Sequence, residues 1–182
     1  MLGTIVNAAA ILVGGSLGLL LKKGIPERVS SGIVQGLGLV VLYIGISGSL
    51  KGQNALITTI SIVVGGVIGM LLDFDGRFRR LVGKLETRFV KTETSGSTFG
   101  EGFVTATLLF CVGAMAVVGS LNSGLTGNHE VLYTKSLLDG VSAMIFASTL
   151  GAGVLLSAVA VFVYQGAITL AAQFLAPVLS DS

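Results

Sequence analysis

Residues 2–21, LGTIVNAAAILVGGSLGLLL, carry no charge and end at Lys22-Lys23-Gly24-Ile25-Pro26. About 20 apolar residues in a helix match a hydrocarbon core about 30 Å thick. A secretory signal would need a positively charged start, which Met1-Leu2-Gly3-Thr4 does not supply, so the stretch is read as a mature transmembrane helix. The charges further along mark the ends of similar stretches. Residues 32–50 stop at Lys51, residues 55–72 stop at Asp73 and Asp75, and residues 102–121 form a fourth run. The last run, 136–176, is too long for one span, and Asp139 is its only charge.

Composition agrees with this reading. The 182 residues are 52% hydrophobic and 11% charged, whereas soluble domains carry about 25% charged residues. The net charge of +2, the single cysteine and the absence of tryptophan exclude a disordered chain, a nucleic-acid-binding protein and a disulfide scaffold. The expected fold is an all-α, polytopic transmembrane helical bundle built from repeated helical hairpins, with glycine-broken or re-entrant segments. Its expected organisation is a three-span region over 1–73, a cytoplasmic loop over 74–100, and a membrane region of about three hydrophobic segments over 101–182.

Loop charges orient the chain. Lys22, Lys23 and Arg28 follow the first span, and Arg77, Arg79, Arg80, Lys84, Arg88 and Lys91 follow the third. These nine share one side if every span crosses, against Lys51 and Lys135 on the other. The positive-inside rule makes the nine cytoplasmic and places the N-terminus outside. Within Gly76–Lys91 the apolar Phe78, Leu81, Val82, Leu85 and Phe89 recur at helical spacing opposite the basic residues. That pattern predicts an amphipathic helix, either lying on an anionic leaflet or solvated as a connector. Thr92–Gly100 reads as a hinge.

Shifting the first span by 51 residues lays Gly14, Gly15 and Gly18 on Gly65, Gly66 and Gly69. Weaker matches at shifts of 71 and 133 point to duplicated hairpins. The repeated glycines admit two readings. One is small-residue packing that lets helices approach closely. The other is an interruption of the helix that exposes backbone to a midplane solute. From Ser136 to Gly151 a helix would measure about 24 Å, short of the hydrocarbon thickness. Gly151-Ala152-Gly153 then offers a break beside Ser148 and Thr149, consistent with a half-helix or with a tight turn at the bilayer edge.

Polar residues inside the apolar runs are the remaining candidates. Asp139 and Glu101 each fit the acidic end of a capping box, with Ser136 and Thr98 as partners. An intramembrane carboxylate is also a functional candidate in its own right. Asn7, about 9 Å into its span, and Gln165 act either as interhelical glue or as pathway-lining groups. Cys111 reads as a core residue and His129 as solvated. The candidate solute or ion pathway is therefore Asn7, Gly14, Gly15, Gly65, Gly66, Asp139, Ser148, Thr149 and Gln165. No hydrolytic triad, zinc spacing or paired-carboxylate site is present in the sequence, so neither catalytic residues, metal ligands nor a cofactor are expected.

The stretches MLGTIVNAAAILVGGSLGLLLKKGIPERV (1–29), EGFVTATLLFCVGAMAVVGSLNSGL (101–125) and KSLLDGVSAMIFASTLGAGV (135–154) resemble a bacterial family of membrane proteins of unknown function that includes YdfK and YqgA. The resemblance covers essentially the whole sequence. It implies a multi-pass protein of the bacterial cytoplasmic (inner) membrane, suspected of transport without an established substrate. It supplies no catalytic or binding residues. It also implies further hydrophobic sequence after the equivalent of Ala176-Pro177, whereas this sequence ends at Ser182. The expected function is a small-molecule or ion transporter or channel, the alternative a non-transporting scaffold or partner subunit. The lipid bilayer and further copies of the chain are the expected partners, and nucleic acid is not.

Overall fold

In the computed structural model the described residues are 1–21, 24–50, 52, 54–73, 76, 77, 80, 84 and 99–180. They form seven helices and no strand: α1 (Leu2–Leu20), α2 (Glu27–Leu50), α3 (Ala55–Leu72), α4 (Phe99–Cys111), α5 (Ala114–Leu125), α6 (Glu130–Leu150) and α7 (Gly153–Ser180). Four of them, α1, α2, α3 and α7, are long and apolar enough to cross a membrane. A fifth crossing exists if α4 and α5, bent by 58° at Val112–Gly113, count together. The basic loop helix expected over Gly76–Lys91 lies largely outside the described residues, as do 92–98 of the hinge expected over Thr92–Gly100; its last two residues, Phe99 and Gly100, instead open α4.

Packing divides the chain into two compact units, Met1–Ile25 with Val82–Ser182, and Pro26–Leu81. In the first unit, Gly3 lies against Leu132, Gly14 against Gly140, and Gly18 against Met144, so α1 and α6 run parallel. Gly15 meets Leu155 and Thr4 meets Thr169, so α7 runs antiparallel to α1. The buried core includes Ile11, Phe110, Leu132, Val154 and Val161.

The bent pair α4–α5 is resolved by its neighbours. Gly102 in α4 lies against Leu150 at the end of α6, and Gly119 in α5 lies against Leu132 near its start. The pair therefore travels nearly the full length of α6 in the opposite direction. A re-entrant loop would return to the end it left. It is a broken span.

Several expectations are corrected here. The segment beginning at Ser136 is not a half-helix: α6 starts at Glu130 and has 21 residues, about 31 Å of helix. The extra turns came from Glu130–Lys135, whose polarity made them look like loop. The break at Gly151 is real, with φ of 78° and the α6 C-terminus beside it. Of the two readings of the paired glycines, interruption of the helix does not occur, since α1 and α3 run unbroken through Gly14-Gly15 and Gly65-Gly66.

Those two glycine sets also differ in surroundings. A Cβ on Gly14 would sit 1.9 Å from the Gly140 carbonyl oxygen, and one on Gly18 would sit 2.2 Å from that of Met144. Absence of a side chain is what allows the α1 and α6 backbones to meet. A Cβ added at Gly65, Gly66 or Gly69 would meet no described neighbour within 4 Å in its own unit. In their unit, α2 and α3 contain no buried residue. Asn54 caps α3 by accepting from the amides of Leu56 and Ile57 at 3.0 and 3.3 Å. At its other end Asp73, in a left-handed conformation, accepts from the Gly76 amide and pairs with Arg80 at 2.7 Å.

Candidate functional site

Three of the pathway candidates meet where α1, α6 and α7 cross. Asn7 is fully buried, and its Nδ2 donates to Asp139 Oδ2 at 3.0 Å and to Gln165 Oε1 at 3.2 Å. Asp139 also accepts from Lys135 Nζ, one helical turn earlier on α6, in an ion pair with side chains only 10% and 6% exposed. One turn away in each of the other helices, Thr4 and Thr169 are buried with their hydroxyls 3.4 Å apart. The Lys135 ammonium lies 5.9 Å from the ring centre of Phe110, a residue two positions before Val112, where the α4–α5 span breaks.

Charge within an apolar bundle is expensive unless it is paired and hydrogen-bonded. The cluster meets part of that demand. Lys135 neutralises Asp139 and Asn7 adds a hydrogen bond, but Asn7 Oδ1 and Gln165 Nε2 are buried without partners. Thr107 Oγ1 in α4 and Ser120 Oγ in α5 are buried and unpartnered as well. Such groups typically cost about 1–3 kcal/mol each when nothing satisfies them.

Other candidates are elsewhere. The hydroxyls of Ser148 and Thr149 donate back to the carbonyls of Ile145 and Phe146 in their own helix. Gly14 and Gly15 face α6 and α7 as packing surfaces, while Gly65 and Gly66 belong to the other unit. Asp139 is no helix cap: it is the tenth residue of α6, whose start at Glu130 is held by the Asn128 side chain accepting from the Glu130 amide. Glu101 is exposed in the first turn of α4, and Cys111 is buried. His129 is half-buried rather than solvated. Its Nδ1 lies 2.9 Å from Ser123 Oγ, and its ring meets Tyr133 edge-on, which ties α5 to the start of α6.

Sequence reading missed Lys135, Thr4 and Thr169. Lys135 was assigned to an outer loop, although its i,i+4 spacing to Asp139 is that of a helical ion pair. The threonines carry no signal of their own in a helix full of small residues. On the outer face of α1 and α6 an apolar groove of about 430 Å³, lined by Ala10, Val13, Leu17, Leu137 and Met144 among others, leaves the ion pair out of its lining.

The sequence matches the family described as Protein of unknown function (DUF554) over residues 2–182. The chain belongs to that family. It is 32% identical to "Uncharacterized membrane protein YdfK" of Bacillus subtilis (strain 168) over 177 residues, which is 95% of this chain and 73% of that protein. It is 30% identical to "Uncharacterized protein YqgA" of Escherichia coli (strain K12), covering all of this chain and 78% of the relative. No solved structure matches it. Family membership and the apolar helices make this a membrane protein.

Proposed function

We propose that the protein is a transporter or channel for a small polar solute or an ion in the bacterial cytoplasmic membrane. The observation that carries the reading is the buried Lys135–Asp139 pair, joined to two amides and placed beside the break in the α4–α5 span. Broken helices and intramembrane charges together are how transport proteins hold a solute away from lipid. No chemistry on the substrate is part of this reading. The parallel course of α1 and α6, with α4–α5 and α7 opposed to it, supports alternating crossings; the positive-inside rule applied to the nine basic residues after the first and third spans then favours an N-terminus outside.

The test is flux in liposomes holding the purified chain, screened over common ions and metabolites, with cysteine labelling at positions 2 and 95 to check sidedness. At least one solute should enter faster than into empty vesicles, and Asp139→Asn should slow it at least about tenfold. No solute above the empty-vesicle rate would end the reading. Labelling of position 95 from outside would reverse the orientation.

A second reading, a scaffold or partner subunit, is favoured by one observation. The glycine-lined contact of α1 with α6 and the charge-neutral pair suit a rigid bundle that associates with further copies.

A further inference from the structure

Oxygen atoms converge at the centre of the polar cluster, and the donors that fill the space between them belong to the protein itself. Asp139 Oδ2 receives Lys135 Nζ and Asn7 Nδ2, and Gln165 Oε1 receives the same Asn7 nitrogen. Half a rotation of the Asn7 amide exchanges Nδ2 with Oδ1, which now has no partner. Asn7 Oδ1 then takes the place of Nδ2 beside Asp139 Oδ2 and Gln165 Oε1, so a carboxylate oxygen and two amide carbonyl oxygens are mutual neighbours. Three oxygens in that arrangement repel one another unless a cation lies among them, and such oxygen sets suit hard cations.

Charge selects the class of cation. Among the described residues no three His, Cys, Asp or Glu side chains gather as a metal site, and Asp139 is the only acid in the cluster. A divalent ion would leave an uncompensated charge in apolar surroundings, which is costly. A monovalent ion balances Asp139 one for one, and the cluster stays neutral when the displaced Lys135 gives up its proton to water.

We propose that Asp139, Asn7 Oδ1 and Gln165 Oε1 bind an alkali-metal cation in exchange for the ammonium of Lys135. Lys135 is then a built-in competitor that occupies the site when the ion is absent. This deepens the transport reading and rests on it for its biological sense, but binding is measurable without flux.

The experiment uses the full chain purified in detergent, with ²²Na⁺ binding and unfolding temperature measured in LiCl, NaCl, KCl and choline chloride at equal ionic strength. At least one alkali chloride should raise the unfolding temperature above its value in choline chloride. Lys135→Met should bind that cation about tenfold more tightly or better, because the internal competitor is gone. Asn7→Leu, which keeps the ion pair, should weaken binding, and Asp139→Asn should abolish it. Identical behaviour in all four salts for both wild type and Lys135→Met would overturn the proposal, even if Asp139→Asn failed to fold. Cation binding that survives Asp139→Asn would overturn it too. Cation binding without flux of any solute upholds the site and removes the transport reading. Solute flux with no cation-specific binding removes the site alone.

Discussion

The same glycine pattern occurs twice in this chain with opposite surroundings. In α1, Gly14-Gly15-x-x-Gly18 is filled by the backbone of α6 and side chains of α6 and α7. In α3, a Cβ added at Gly65, Gly66 or Gly69 would meet no described neighbour within 4 Å in its own unit. The ion pairs divide in the same way. Lys135–Asp139 is buried and shared with amides from two other helices, whereas Arg80–Asp73 has side chains 66% and 55% exposed. A motif therefore says what a helix permits, and its neighbours decide whether the permission is used. Close backbone approach needs a partner helix with its own small residue at the matching height, and Gly140 provides one for α1.

The largest contrast is expected between the two carboxylates. Asp139→Leu leaves the Lys135 ammonium buried and unpaired, a change that costs about 3–5 kcal/mol. Asp73→Asn, which tolerates the left-handed backbone and can still accept from the Gly76 amide, removes an exposed pair of the kind worth about 0–1 kcal/mol. Pairing Asp139→Leu with Lys135→Met should restore most of the lost stability, because the cluster then contains no charge. Chemical unfolding in mild detergent, arranged as a double-mutant cycle, measures all of this. Equal losses for Asp139→Leu and Asp73→Asn would dissolve the contrast between the two units.

Next in size are the glycines. Gly14→Leu drives a side chain into the Gly140 backbone and should cost at least about 2 kcal/mol or prevent folding. Gly65→Ala meets open space and replaces a poor helix former, so its effect on the fold should stay within about 1 kcal/mol and favour the variant. Expression and unfolding temperature compare the two directly. If Gly65→Leu were as damaging as Gly14→Leu, the face of α3 would be in contact with something further.

The smallest contrast sets Asn7 against Asn54. Asn54→Ala removes a helix cap and should cost about 1 kcal/mol. Asn7→Ala removes interhelical hydrogen bonds of the sort worth about 0.6 kcal/mol each between membrane helices, along with a little packing. The two losses should be similar in unfolding experiments. They should separate in function, since only Asn7 lies in the polar cluster and only its variant should alter flux.

Much of the fold was legible because a bilayer imposes a long, unambiguous pattern. Twenty uncharged residues and an abrupt Lys22-Lys23 are strong signals, and residues 2–21 and 55–72 became helices nearly as read. Asn7, Asp139 and Gln165 were legible as candidates since polar groups inside apolar runs need partners. Their meeting was not, because 132 and 158 residues separate Asn7 from the other two and no local pattern encodes that distance. Lys135 was lost to the opposite error. Its charge placed it in a loop, although a carboxylate one turn away could neutralise it in a helix.

The sequence by itself determined that this is a helical membrane protein and which of its residues are costly to bury, since both follow from transfer of side chains out of water. Only the tertiary structure decided that the α4–α5 span breaks, that α1 lies parallel to α6, and that one glycine motif is packed while its counterpart is open. Those outcomes depend on which helices become neighbours. In an apolar surrounding that choice is made by close packing and hydrogen bonding between segments far apart in the chain, which the order of residues along a single helix does not express.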